Sequence, residues 1–554
     1  MKRVLCITIS LIFAIAISAK INLRYVGQRA YLEIDNKPML ILGAELSNSA
    51  ATSETDINEV LPRMKALNVN TVLIPAQWDL IEPEEGKYDF TLIDTAIKKA
   101  RECDLHLIFL WFGAWKNSMS CYAPIWFKED VKRFPRATTQ QGKPLEIASA
   151  FSENVFQADN RVFSALMQHI REVDEMHQTV IMMQVENEIG MLEDARDHSP
   201  EAEKAYSLPI PKDVCKVLKM GHGSTWKDAF GKDVNGEEQF MAYHYARYVE
   251  RLAQSARKIY NIPLYVNAAM NSRGRKPGEY PSAGPLAHLA DIWKLTAPSI
   301  DLLAPDIYDT GFKGWAKQYD MGKKNPLFIP ESRCCDNSGV RALYVFGEHE
   351  GVGFSPFAVD QCAESEGQEI SRSYALLQEL QPLLLKYRGK NTIRGVLLNQ
   401  EDKETLIEDG DMTFTCRHYF TLPWDSRATN GSTWREGGAI IIRLAKNDYL
   451  IAGSGVVVVF QKTTEKAQET VKTLGEDGFA STGNKQKGID NNLQPFKGKR
   501  MGIGTVDEVN IQEDGTIKYI RRENGDQDHQ GRHVRISIDD YKILHVRLYE
   551  YGND

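Results

Sequence analysis

The sequence lacks the cysteine arrangements that staple small domains or hold metals. Eight cysteines are scattered over 554 residues. None forms a Cys-x-x-Cys pair or stands at ligand spacing from histidine, and Cys6 falls in an N-terminal apolar run, leaving seven. A disulfide scaffold and a zinc module are thereby excluded. The twelve histidines have no paired acidic spacing either, so neither a metal nor another cofactor is expected. An excess of positive charge is also missing. The net charge is −8, which speaks against a nucleic-acid partner. Beyond the N-terminus no apolar stretch reaches the roughly 20 residues that span a bilayer. No glycine-rich phosphate loop follows the first strand-like run, which disfavours the alternative of a doubly wound open sheet.

What is present begins at the N-terminus. Lys2 and Arg3 precede an apolar run over 4–17, followed by Ser18 and Ala19. That order reads as a secretory signal over 1–19 rather than an uncleaved anchor, giving an exported, periplasmic or secreted chain with no membrane insertion after cleavage. Short apolar runs then recur at 39–44, 71–75, 106–111, 180–185, 263–267, 302–305, 327–330 and 351–357. Amphipathic stretches at 54–67, 90–102, 161–176 and 238–260 lie between several of them. Eight strands alternating with helices predict a (β/α)8 barrel over 20–390, introduced by a short β-hairpin at 20–38 and carrying an insertion at 191–237 after the fourth strand. A helix over 361–387 closes this part. From 391 to 554 the β-branched runs at 439–444, 449–452, 456–461, 534–538 and 543–549 predict an all-β, sandwich-like accessory domain. The stretch 463–499 reads as a long polar loop.

Barrel chemistry gathers where strands end at their C-terminal side. The fourth run ends Gln184-Val185-Glu186-Asn187-Glu188-Ile189-Gly190, and the seventh ends Pro330-Glu331-Ser332-Arg333. Two carboxylates facing each other across a barrel mouth are what glycosidic cleavage requires: one protonates the leaving oxygen while the other meets the anomeric carbon. An asparagine before the acid suits a sugar 2-hydroxyl. Alternation puts Glu186 on the same face as Glu188, and it is read as a hydrogen-bonded support residue.

The run Gln184–Gly190 with Pro330-Glu331 resembles glycoside hydrolase family 35, the retaining β-galactosidases. The segment from Trp78 to Phe90 is similar to that family's Trp-Asn-Leu-His-Glu-Pro stretch, and Ala123-Pro124-Ile125-Trp126 adds a further echo. The resemblance covers about residues 30–385. It implies Glu188 as general acid/base, Glu331 as nucleophile, Asn187 on the substrate, and Tyr308 as a phenol donor to Glu331. The chain departs from the family after the third strand, where Trp115-Lys116-Asn117-Ser118 replaces Cys-Ala-Glu-Trp, and after the nucleophile, where Arg333-Cys334-Cys335 stands. Trp115 is expected as a stacking wall, with Trp126 beside it. Lys116 and Asn117 are expected on sugar hydroxyls, Arg333 as the residue that orients and ionises Glu331, and Glu45 at the mouth, with Asn48, Asn267 and His349 near strand ends. The implied activity is exo-acting removal of β-D-galactose from a carbohydrate substrate. The same machinery on another glycone, a β-glucosaminidase or β-pentopyranosidase, and a non-catalytic carbohydrate-binding protein are the alternatives. No oligomeric state is implied.

Overall fold

A computed structural model describes residues 21–271, 273–422, 424–467 and 497–552, with two short strand pieces at 473–474 and 480–481. The signal sequence expected at 1–19 and most of the polar stretch 463–499 lie outside the described residues.

The N-terminal segment is a three-stranded antiparallel meander, Ile21–Val26, Arg29–Ile34 and Lys37–Met39, one strand more than the expected hairpin. The barrel follows. Its strands are Ile41–Glu45, Thr71–Gln77, His106–Phe112, Val180–Gln184, Leu264–Ala269 and Leu302–Ile307, then a broken seventh strand and Gly353–Phe354. Each falls on one of the eight apolar runs, because strands covered on both faces need unbroken apolar sequence rather than alternation. The seventh strand breaks at Pro330, which has no N–H to give the ladder. Phe328–Ile329 pairs with the eighth strand, and Glu331–Ser332 pairs with the sixth, so the two halves of one strand close the ring. Glu331 stands directly after this break.

Helices between the strands start where the sequence supplies caps. Ser53 accepts from Asp56 N ahead of Glu54–Ala66, Ser152 from Val155 N ahead of Glu153–Asp174, and Asp233 from the N–H groups of Asn235 and Gly236 ahead of Val234–Ile259. Such caps satisfy backbone donors that the first turn leaves open. The insertion after the fourth strand folds into three short helices around Tyr206, Ile210, Val214, Trp226 and Phe240.

Beyond Glu364–Tyr387 the described residues form two large antiparallel sheets and the small pair Thr473–Leu474 with Ala480–Ser481. Six strands run in the spatial order Ile393–Leu398, Gly437–Ala445, Asp448–Ser454, Lys542–Tyr551, Arg500–Ile511, Ile517–Arg522. Four run in the order Glu404–Asp409, Met412–His418, Val456–Lys462, Val534–Ile536. Leu398, Phe414, Ile441, Ile451, Val458 and Val546 fill the space between them, as in a sandwich. The other face of the larger sheet, through Ile440, Ile442, Leu450 and Ile543, joins the barrel core. At this seam the helix Ser338–Glu348 lies so close that a Cβ added at Gly347 would stand 2.9 Å from Gly395 Cα, and one at Gly395 would strike Glu348 N. Among the described residues no helix is long and apolar enough to cross a membrane.

Candidate active site

Four carboxyl groups converge at the C-terminal mouth of the barrel, each delivered by a different strand. Glu45 ends the first strand, Glu188 follows the fourth, Asp306 lies near the end of the sixth, and Glu331 begins the second half of the seventh. All four are buried. One oxygen each from Glu188, Asp306 and Glu331 lies within 4.8 Å of the others. Asp306 and Glu331 are register partners on neighbouring strands.

The turn that carries Glu188 is shaped by unusual backbone. Glu186 and Glu188 both take left-handed conformations, φ 59° and 44°, as do Asn117 and Ser118, φ 50° and 64°. Non-glycine residues in this region are strained, and such strain gathers where a site over-determines the backbone. Contacts between the two loops hold them there. Asn187 N donates to Trp115 O at 3.2 Å, Ser118 N to Glu188 O at 3.1 Å, and Glu188 N to Asn267 Oδ1 at 2.9 Å. Asn267 Nδ2 also donates to Asp306 Oδ2 at 2.8 Å, so one amide fixes both the backbone of Glu188 and the side chain of Asp306.

Each glutamate has one close donor. Asn117 Nδ2 donates to Glu188 Oε2, and the Tyr308 hydroxyl donates to Glu331 Oε1. Among the described residues, Glu331 Oε2 and both amide atoms of the fully buried Asn187 meet no donor or acceptor. Buried polar atoms are nearly always paired, so these positions are open to a further polar group. Burial first, and the charge of Glu188 next, push the Glu331 carboxyl up to about 7, against the pull of Lys116, Tyr308 and Glu45. Burial and the Glu331 charge drive Tyr308 far above the ordinary phenol range, so it remains a donor.

The structure brings together Glu45, Lys116, Asn117, Asn187, Glu188, Tyr308 and Glu331. Lys116 is buried, with its ammonium 4.9 Å above the Phe112 ring, and its positive charge acts on Glu45 and Glu331. It is placed to balance carboxylate charge. Glu186 turns inward, as a support residue should. Its Oε2 accepts from Trp115 N at 2.8 Å, and it shares a hydrogen bond with Asp159, which takes Trp111 Nε1 at 2.9 Å and the Tyr248 hydroxyl at 2.7 Å. Burial, then the Asp159 charge, raises Glu186 well above the carboxylate range.

Other expected positions are corrected. Trp115 is 0% exposed and stands edge-on to Tyr245 and Tyr248, with ring centroids at 5.6 and 4.8 Å. It packs the barrel against the helix Val234–Ile259 and is no stacking wall. Trp126 packs on Trp78 and gives its Nε1–H to Glu82 O at 3.0 Å. Arg333 is exposed and donates to the Tyr308 carbonyl at 2.8 Å; it steadies the loop behind the phenol and does not reach Glu331. His349 lies at the opposite end of the barrel, on Asp320 at 2.8 Å. The segment after Trp78 is structural as well. Glu82 accepts from Trp78 Nε1 at 2.8 Å, Gly86 N at 2.7 Å and Arg161 at 3.0 Å.

Asp306 was not foreseen, although it lies two residues before Tyr308 on a strand, where alternation places both side chains on one face. Glu188, Asp306 and Glu331 together offer the oxygen set that a hard cation takes, and Lys116 already supplies positive charge beside Glu331. A second trio, Asp194, His198 and Glu237, has its charge met by Arg196, 3.1 Å from Glu237, and by His198 itself, 3.6 Å from Asp194.

The glycoside hydrolase family 42 model, described as Beta-galactosidase, matches residues 48–242, and a model described as a domain of unknown function matches 370–535. The first match shows what the first part of the barrel is similar to; it does not carry the narrower resemblance to family 35. No curated protein matches the chain. Similar solved structures include a β-galactosidase from Bacillus circulans sp. alkalophilus (13% identity, TM-score 0.46) and a cold-adapted β-galactosidase from Rahnella sp. R3 (14%, 0.45). A catalytic mutant of a GH42 β-galactosidase from G. stearothermophilus is a third (15%, 0.46). Each covers 62% of this chain, which spans 57% of the length of each.

Proposed function

We propose that the protein is a retaining, exo-acting glycoside hydrolase that removes terminal non-reducing β-D-galactose from oligo- or polysaccharides. The observation that carries the reading is the pair Glu188 and Glu331, with one oxygen of each lying within 4.8 Å of the other across the mouth. Retaining enzymes hold their two carboxyls about 5–5.5 Å apart, whereas inverting ones leave roughly 6.5–9.5 Å for a water. In the first step Glu331 attacks the anomeric carbon, the glycosidic C–O bond breaks, and the leaving oxygen takes its proton from Glu188. In the second, Glu188 takes a proton from water, the water oxygen bonds to the anomeric carbon, and the bond to Glu331 breaks. Tyr308 holds the nucleophile, and the open amide of Asn187 supports a role on the sugar hydroxyl nearest the reacting carbon. Asn117, bonded to Glu188, is assigned to substrate at the same edge. The N-terminal basic, apolar and small-residue order supports export to the periplasm or beyond.

A panel of nitrophenyl glycosides tests the reading, with wild type beside Glu331→Gln. Turnover of the β-galactoside, lost in the variant, is expected. Turnover of a β-glucosaminide or β-pentopyranoside instead would change the glycone and keep the mechanism. Binding without turnover of any sugar in the panel would leave a carbohydrate-binding protein.

A further inference from the structure

Glu45 is the buried acid that the proposed reaction does not use. It ends the first strand, fully enclosed, and among the described residues neither of its oxygens meets a donor. Its carboxyl lies within hydrogen-bonding reach of the Glu331 carboxyl. The second and eighth strands, which pair with its strand, bring no titratable side chain to it, but five other elements do: Glu331 from the seventh strand, Glu188 after the fourth, Lys116 after the third, Asp306 and Tyr308 from the sixth, and Tyr265 from the fifth. Three of these are carboxyls and one is a cation. An ionised Glu45 would lack a hydrogen-bond donor and face three other acids against the one charge of Lys116, a costly arrangement inside a protein. A protonated Glu45 resolves this at once, because its hydroxyl becomes the donor and Glu331 the acceptor.

We propose that Glu45 is a positioning residue that stays protonated and donates its hydrogen to Glu331, so that the nucleophile is held from two sides, by the phenol of Tyr308 and by a neutral carboxylic acid. A carboxylate has about four lone-pair positions, so two donors leave others free to meet carbon. Burial, followed by the Glu331 charge, raises Glu45 well above the carboxylate range, with only Lys116 pulling the other way, in keeping with a neutral acid. The inference rests on Glu331 being the nucleophile.

Two substitutions separate a neutral donor from a charged or merely structural residue. Glu45→Gln keeps an N–H donor and removes the proton. Its kcat/KM on the β-galactoside is expected within about fivefold of wild type, with the acidic limb of the pH profile unmoved. Glu45→Leu removes the donor, so kcat/KM should fall about tenfold or more and the acidic limb should move to higher pH, since the Glu331 carboxylate has lost a stabilising hydrogen bond. A downward shift of that limb in Glu45→Gln would show that a negative charge had been removed and would overturn the proposal. So would a Glu45→Leu enzyme with an unchanged profile. Infrared difference spectra of the full chain provide a readout that needs neither turnover nor the leucine variant. The carbonyl stretch of one protonated carboxyl should disappear in Glu45→Gln at neutral pH, and its persistence refutes the neutral acid. If wild type hydrolyses no glycoside while the band is lost, the functional reading fails and the neutral acid stands.

Discussion

The two ends of the barrel treat buried charge in opposite ways. At the end remote from the site, Asp320 holds Arg29 at 2.7 Å and His349 at 2.8 Å. Arg388 donates to the carbonyls of Ala30 at 2.7 Å, of Gly351 at 3.3 Å and of Glu350, and Gly389 N donates to the Glu350 carboxylate at 2.6 Å. Although burial pushes Asp320 up, His349 and Arg29 hold it below the ordinary range. At the mouth, four carboxyls face one lysine, and Glu45, Asp306 and Glu331 each leave at least one oxygen without a donor. Charges answered by the protein lock the N-terminal meander to the barrel. Charges left unanswered wait for a ligand or hold a proton. Polar burial therefore serves stability at one end and chemistry at the other.

Substitutions at the two ends should separate accordingly. The largest effect falls on the mouth: Glu331→Gln should lower kcat at least about 10⁴-fold, or ~5.4 kcal/mol, with the melting temperature unchanged or raised. At the far end Arg388→Met should cost about 3–5 kcal/mol of stability, because the buried carbonyls of Ala30, Glu350 and Gly351 lose a donor, while kcat per folded molecule stays at the wild-type value. Denaturant unfolding and active-site titration read the two quantities apart. A loss of kcat without a loss of stability in Arg388→Met would erase the distinction between the ends. Tyr308→Phe should reduce kcat/KM about 10²-fold and move the acidic limb upward in pH, since Glu331 loses its phenol donor. Asn117→Ala should lower kcat/KM by at least about tenfold, or ~1.4 kcal/mol. Equal rates in variant and wild type would make Asn117 structural.

The smallest effect concerns pH and stability. Burial raises Glu45, Asp306, Glu331, Glu186 and Asp159 above their ordinary values. The folded chain therefore keeps protons that the unfolded chain releases. Stability is fully present below the ordinary carboxylate range and declines as pH rises through the folded values, reaching about 7 for Glu331. Glu186→Gln supplies an amide donor to Asp159 without needing a proton, so the fall in melting temperature between pH 5 and 8 should shrink by about 1–2 °C. A steeper fall in the variant would mean that Glu186 is ionised in the native state.

The barrel was legible because strands covered on both faces leave short continuous apolar runs, and all eight fall where strands form. The strand-4 and strand-7 glutamates were legible from residue order. Less could be read where the outcome depends on how the chain turns after a strand. The left-handed turn at Asn117 and Ser118 sends Trp115 inward against Tyr245 and Tyr248, and Arg333 reaches the Tyr308 carbonyl rather than Glu331. Several accessory strands also escaped notice. Arg500–Ile511 is interrupted by glycines, and Ile517–Arg522 is an edge strand whose side chains are largely exposed, so neither shows the apolar pattern of a buried strand. Asp306 escaped because a single acid inside Leu302–Ile307 has no motif around it.

The most direct test of the central claim is the stereochemistry of the first product. Proton NMR during early hydrolysis of a β-galactoside should show β-galactose appearing first and mutarotating later, as double displacement through Glu331 requires. α-Galactose as the first-formed anomer would contradict a nucleophilic Glu331 and the retaining assignment with it.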